Sequence, residues 1–200
     1  LVDLAFSACR DGVHRVHIID GAADGMILKE IFSNRGLGTM IYSNQHENIR
    51  RMTRTDVPAV LRLMQPAIED AVLVPRTAAD LEEKVDNYCV YEVDGTLHGC
   101  AALEVFPDRQ GEICAVVVDD TYAGMGIGRK MIEYLIDRAS ALRLKAVFVL
   151  TTRTSDWFQQ LGFVPATVEN LPPQRRRSYD RKRQSRIYRK TLSRRRSKLL

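Results

Sequence analysis

The residues best placed to do chemistry form one glycine-rich turn, Gly124-Met125-Gly126-Ile127-Gly128-Arg129. It lies between a β-branched run, Ile113–Val118, and a segment whose apolar residues, from Ile127 through Met131, Ile132, Leu135, Ile136 and Ala139 to Leu142, recur at helical spacing. A strand, a glycine turn and a helix in immediate succession gather free N–H groups and the positive end of a helix dipole in one place. Such a place holds an anion, and phosphate is the obvious one. The competing dinucleotide reading needs G-x-G-x-x-G in a βαβ unit with an acid about twenty residues on. Here the spacing is G-x-G-x-G, a hairpin precedes it, and no acid ends the run Ala146–Leu150. The other candidates are weaker. Cys9, Cys89, Cys100 and Cys114 form no C-x-x-C pair and read as free thiols in a reducing compartment, not as zinc ligands. His14, His17 and His46 are scattered.

The elements that must position this turn follow from the pattern on either side. Residues 1–45 read as helix, strand (Val16–Asp20), helix (Met26–Phe32, stopped by Asn34-Arg-Gly36) and strand (Met40–Tyr42). This segment is too short for its own core and reads as the last piece of an α/β domain. A polar linker, Ser43–Glu47, sets the boundary. After it come a strand from Ile49, a helix capped by Thr55 or Asp56 with Pro58 in its first turn, an extended Leu73-Val-Pro-Arg76, and a second helix over Asp80–Val85. Tyr88–Val93 and Thr96–Leu103 flank Asp94-Gly95 as a hairpin. Gly111–Val118 is the next strand. The long helix then leads to a buried strand of the parallel type, Ala146–Leu150, a short helix, Trp157–Leu161, and a last strand from Phe163. The fold class is α+β: a mixed sheet flanked by helices, with its ligand site where the glycine turn leaves the central strand.

At 200 residues the chain accommodates one to two domains, and no apolar run approaches the length of a membrane span. The first residues carry neither Met nor a basic region, so they read as the interior of a longer protein, not as a signal or transit peptide. The net charge of +5 hides an asymmetry. Residues 175–198 hold 13 of the 30 Lys and Arg with one acid, leaving 17 basic against 24 acidic residues elsewhere. That stretch reads as a site for an acidic small molecule or CoA phosphates together with a solvated end. A nucleic-acid module is the competing class, disfavoured because few aromatics interleave the charge.

Here the residues become recognisable. Ala123-Gly-Met-Gly126-Ile-Gly128 resembles the Arg/Gln-x-x-Gly-x-Gly/Ala motif of the GNAT N-acetyltransferases, with Ala123 in place of the leading Arg or Gln, and Ser155–Phe163 resembles their later helix and Gly-Phe signature. A narrower resemblance, to the N-acetylglutamate synthases, covers nearly the whole chain. It is carried by Cys9–Asp20, Leu28–Ser33, Gly36–Thr39, Leu73–Arg76, Gly99–Leu103, Gly111-Glu112, Leu150–Thr154 and Trp157-Phe158.

The resemblance implies an amino-acid-kinase-like fragment over 1–45, a GNAT domain over 46–192 and a basic tail over 193–200. It implies acetyl transfer from acetyl-CoA, the co-substrate, to L-glutamate in arginine biosynthesis, with no metal. It further implies a cytoplasmic or plastid-like setting, arginine as regulator through an upstream domain, and a homo-oligomer for the full-length protein. Residue by residue it makes Glu112 the base and Thr151 the hydroxyl serving as acid, because Phe158 stands where many relatives have Tyr. It gives the acyl-CoA arm to the backbone of Val116, Val117 and Val118, and the pyrophosphate to Gly124, Met125, Gly126, Ile127, Gly128 and Arg129. Glutamate goes to Leu73, Arg76, Arg183 and Ser185, since paired guanidiniums read two carboxylates. Without the resemblance, Glu112 is a solvated strand-end charge, Thr151 a backbone partner and Arg183 one more charge in a basic run. A GNAT enzyme for another amine is the competing reading.

Overall fold

The computed structural model describes residues 1–32, 38–42 and 47–192. The expected helix stop at Asn34–Gly36, the linker residues 43–46 and the tail 193–200 lie outside them. The chain divides into two compact units, Leu1–Asn48 with the hairpin tip Glu92–Thr96, and Ile49–Tyr91 with Leu97–Leu200.

The first unit runs α1 (Val2–Arg10), β1 (Arg15–Ile18), α2 (Met26–Phe32) and β2 (Thr39–Tyr42). Its two strands pair antiparallel from Arg15↔Tyr42 to Ile18↔Thr39. Ala5 and Cys9 of α1 are buried, and the Cys9 thiol donates to the Ile41 carbonyl at 3.3 Å. α2 buries no residue; Ile27, Leu28, Ile31 and Phe32 stay exposed. So few residues cannot close a core.

The second unit is built on a seven-stranded sheet in the order β3-β4-β5-β6-β7-β9-β8. Its strands are β3 (Glu47–Arg51), β4 (Tyr88–Val93), β5 (Thr96–Val105), β6 (Gln110–Val118), β7 (Ala146–Thr151), β8 (Val164–Ala166) and β9 (Arg186–Thr191). Glu47, read from the sequence as the end of a linker, opens β3. Side chains alternate across the strands, so each face of the sheet takes its own helices. Val57, Val60 and Met64 of α3 (Val57–Glu69) and Leu81 of α4 (Ala78–Glu83) pack with Tyr88, Val90, Cys100, Ala102 and Ala115. The intervening residues face α5 (Ile127–Ala141), which buries Met131, Ile132 and Leu135; a Cβ on Gly99 would lie 2.9 Å from the Met131 sulfur. At about 25 cal/mol per Å² of apolar area, this two-sided burial is the main stabilising term.

Local signals set the entries. Asp56 accepts from the Thr53 N–H at 2.7 Å and from both Arg50 Nη atoms at 2.7 and 3.0 Å, which joins β3 to the start of α3. Asp94 and Gly95 take φ of 50° and 78°, the two left-handed positions of a tight hairpin turn.

The basic stretch is the main correction. Residues 173–191 are not a solvated end. They form α7 (Pro173–Arg177), a 3-10 turn at Arg181–Arg183 and β9, which pairs antiparallel with β7 over six residues, from Ala146↔Thr191 to Thr151↔Arg186. The strand from Phe163 is accordingly not the last; β8 pairs with β9 at the sheet edge. Ile187 and Tyr188, flanked by Arg186 and Arg189, are both buried; as neighbours on one strand they face opposite sides of the sheet, so this strand inside a charge run is covered on both faces.

Candidate active site

Three backbone features open a site at the end of β6. First, β6 carries an extra residue: Cys100 pairs with Val117 but Ala102 pairs with Cys114, and Ala115 sits at φ 54°. This bulge bends the strand and re-aims the residues beyond it. Second, β6 and β7 run parallel and pair only from Gln110↔Ala146 to Glu112↔Phe148. Past Glu112 the two strands part, leaving that side of β6 to hydrogen-bond with something other than β7. Third, the chain turns at Gly124 and Gly126 (φ 80° and 77°) into α5, with Gly126 as the left-handed N-cap. Gly128 gives the close approach: a Cβ there would lie 3.3 Å from the Trp157 ring. Parted strands and helix N-terminus share one cavity of about 1620 Å³, large enough for an extended nucleotide-bearing ligand.

Glu112, Thr151, Val116, Val118, Gly124, Gly126, Ile127, Gly128 and Arg129 line it, as do Leu73, Arg76, Arg183 and Ser185. Two residues expected there do not. Val117 packs into the core beneath α3, because the bulge turns 116 and 118 toward the cavity and 117 away. Met125 projects outward, 58% exposed, at the crest of the turn.

Glu112 is only 6% exposed, not the solvated charge a strand end ordinarily holds. Burial raises its pKa above the ordinary carboxylate value, against the opposing pull of a guanidinium. That guanidinium is Arg175, whose Nε and Nη2 donate to the two Glu112 oxygens at 2.5 and 3.2 Å. Nothing in the residue pattern singles out Arg175 within its run of three arginines. The one available signal is Pro172-Pro173, which starts a short helix at that point and sets Arg175 on an ordered element. Glu104 and Lys84, joined at 2.9 Å, line the same wall, and no motif in the sequence marks them.

Thr151 Oγ1 lies 2.8 Å from Thr154 Oγ1 and accepts from the Thr154 N–H at 3.0 Å, so its hydroxyl is oriented at the mouth between β7 and α6 (Ser155–Gln160). Arg76 donates to the Val74 carbonyl at 3.0 Å. Arg183 Nη2 donates to the Val72 and Ala71 carbonyls at 2.9 and 3.3 Å, tying the 3-10 turn after α7 to the extended stretch that carries Leu73 and Arg76. The Ser185 carbonyl accepts from the Tyr179 hydroxyl at 2.8 Å. A buried carboxylate, an oriented hydroxyl, two arginines and a helix N-terminus therefore surround one volume. Such a set can accept a proton, donate a hydrogen bond to a leaving group, read carboxylates and hold phosphate.

Comparison with known proteins bears on this geometry. The acetyltransferase (GNAT) family model matches residues 57–163. An amino-acid acetyltransferase of Azotobacter vinelandii is 40% identical over 193 residues, 96% of this chain and 45% of that protein. One of Ralstonia nicotianae is 42% identical over 186 residues, covering 92% of this chain and 41% of its own length. The chain thus spans less than half the length of these two relatives. Among solved structures, N-acetylglutamate synthase of Neisseria gonorrhoeae in complex with coenzyme A and N-acetyl-glutamate superposes with TM-score 0.73 at 35% identity, covering 96% of this chain and 46% of that one. The same protein with coenzyme A and L-arginine gives TM-score 0.78, covering 96% of this chain and 44% of that one. Rv2747 of Mycobacterium tuberculosis, in complex with CoA and NLQ, gives 0.64 at 28% identity over 73% of this chain and 99% of its own.

Proposed function

The chain belongs to the acetyltransferase (GNAT) family, and from that premise we propose that it transfers an acetyl group from acetyl-CoA to the α-amino group of L-glutamate, giving N-acetylglutamate and CoA, the first step of arginine biosynthesis. The observation that carries the choice of glutamate is the convergence of Arg76 and Arg183, far apart in sequence, on the cavity that holds Glu112 and the glycine turn. Two guanidiniums suit a substrate with two carboxylates. The naming of the Azotobacter relative and the gonococcal complex with N-acetyl-glutamate support the same reading.

In this reading the backbone of Val116 and Val118, left without a β7 partner, pairs with the acyl-CoA arm, and the amides of Gly124–Arg129 hold the pyrophosphate. Ala123 offers no side chain for it, so the backbone bears that task alone. Val117 contributes backbone only. Glu112 takes the proton from the substrate ammonium, and its buried setting strengthens it as a base. Thr151 directs its hydroxyl hydrogen bond toward the departing sulfur. Arg76 and Arg183, with the Leu73 backbone and Ser185, hold the carboxylates; a guanidinium has five donors, so Arg183 can keep Val72 and still face substrate. Residues 1–45 are the end of an amino-acid-kinase-like domain, and 46–192 the catalytic one.

For the whole protein the reading extends to arginine as a feedback ligand and to a homo-oligomer, with the gonococcal complex with L-arginine in support of the first. The four cysteines, free in the structure, suit a cytoplasmic or plastid-like setting, and no helix among the described residues is long and apolar enough to cross a membrane.

The test is release of free CoA thiol from acetyl-CoA across a panel of amines. Release that depends on L-glutamate is expected. Release with another amino acid or a peptide amine, and none with glutamate, would replace the substrate assignment.

A further inference from the structure

We propose that Glu104, with Lys84, is a positioning residue for Glu112: its carboxylate, anchored directly across the sheet, makes Glu112 a stronger proton acceptor than its bond to Arg175 alone would leave it. The consequence for rate rests on the acetyl-transfer reading; the premise is geometric. Glu104 on β5 and Glu112 on β6 are direct partners in the antiparallel register. The side chains of such a pair rise from one face, their Cβ atoms about 5 Å apart. Both line the cavity, together with Lys84.

Each carboxylate is tied by a different cation. Lys84 Nζ donates to Glu104 Oε1 at 2.9 Å, and Arg175 holds Glu112 in the two-pronged bond described above. Like charges opposite one another across two strands disfavour each other. Here they share a wall of which Glu112 is the buried half and Glu104 the half-exposed one.

The charged and titratable groups around Glu112 come from every neighbouring element. Glu104 comes from β5, Lys84 from the end of α4, Arg76 from the stretch before α4, and Arg175 from α7. Cys114, two residues on in β6, is a thiol that burial pushes up to about 12, so it stays neutral. Arg175 and Arg76 favour the charged carboxylate, whereas burial and Glu104 favour the protonated one. Burial is the larger of these last two, and Glu104 is the one a substitution can remove without opening a cavity. Lys84 moderates it by sharing its charge with Glu104.

Carboxyl ¹³C NMR titration of the glutamate-labelled protein measures Glu112 directly, with Glu112→Gln used to assign its resonance. Glu104→Gln should lower the Glu112 midpoint, because it removes a like charge that disfavours the ionised carboxylate. Lys84→Met should raise it. Glu104→Asp, which keeps the charge, should return the midpoint most of the way to wild type, as a packing role would not. The acid limb of kcat/KM against pH should move with the NMR midpoint. An unchanged midpoint in both Glu104→Gln and Lys84→Met overturns the proposal, whatever the rates do. Failure of the acetyl-transfer reading has a different signature: no CoA release by the wild-type protein while the carboxyl titration still responds to Glu104→Gln.

Discussion

At Glu112 two opposing effects act on one carboxyl group. Burial favours its protonated form and the Arg175 guanidinium its charged form, and burial is the larger. In the proposed role of base Glu112 must be deprotonated to work, so kcat/KM should rise with pH through a midpoint above the ordinary carboxylate value of 4.5. Replacing Arg175 with Met removes the pull toward the charged form. The rising limb should then move to higher pH in the pH–rate profile, and an unmoved limb would show that Arg175 does not act on Glu112. Glu112→Gln should reduce kcat by about 10² to 10⁴-fold with KM nearly unchanged, since a positioned base contributes in the transition state. Arg183→Ala belongs to the same scale. It should raise KM for glutamate with little effect on KM for acetyl-CoA; parallel changes in both would mark Arg183 as a tie for Val72 and nothing more.

Among elements, the junction of β3 with α3 and the entry to α5 show how few residues place the site. The bonds from Arg50, first, and from Thr53 hold the Asp56 pKa at about 2. Because this folded value lies below the unfolded one, the stabilisation is present above the unfolded pKa of 3.8 and is lost as pH falls toward 2. The shift corresponds to about 2 kcal/mol. Asp56→Ala should therefore lose about that much in urea unfolding at pH 7, with the gap from wild type closing in acid. At the other junction, Gly126 holds φ at 77° to cap α5. Gly126→Ala should cost about 1 kcal/mol in stability and weaken acetyl-CoA binding more than glutamate binding, measured by calorimetry, because the displaced amides are those proposed to hold the pyrophosphate.

For the whole molecule the telling segment is the one whose composition is most misleading. Residues 175–191 carry dense positive charge, yet β9 lies between β7 and β8 and supplies Ile187 to a core shared with Phe106, Phe148 and Leu171. Ile187→Ala should cost about 2–4 kcal/mol in chemical denaturation, the cost of emptying a buried site; a surface tail would lose almost nothing. The glycine turn, the strands and helices beside it and the hairpin at Asp94-Gly95 were legible in the sequence, because φ restriction, capping and apolar period act between residues close along the chain. The Arg175–Glu112 bond, the Glu104–Glu112 pairing, the turning of Val117 into the core and the insertion of β9 were not. Each depends on strand register, on one extra residue in β6 or on contact between residues tens of positions apart. Local propensity carries no information about such pairings. The sequence by itself thus determined where the glycine turn lies and which elements flank it. Only the tertiary structure decided which charges meet inside the cavity, because that follows from the order and register in which the strands lie side by side.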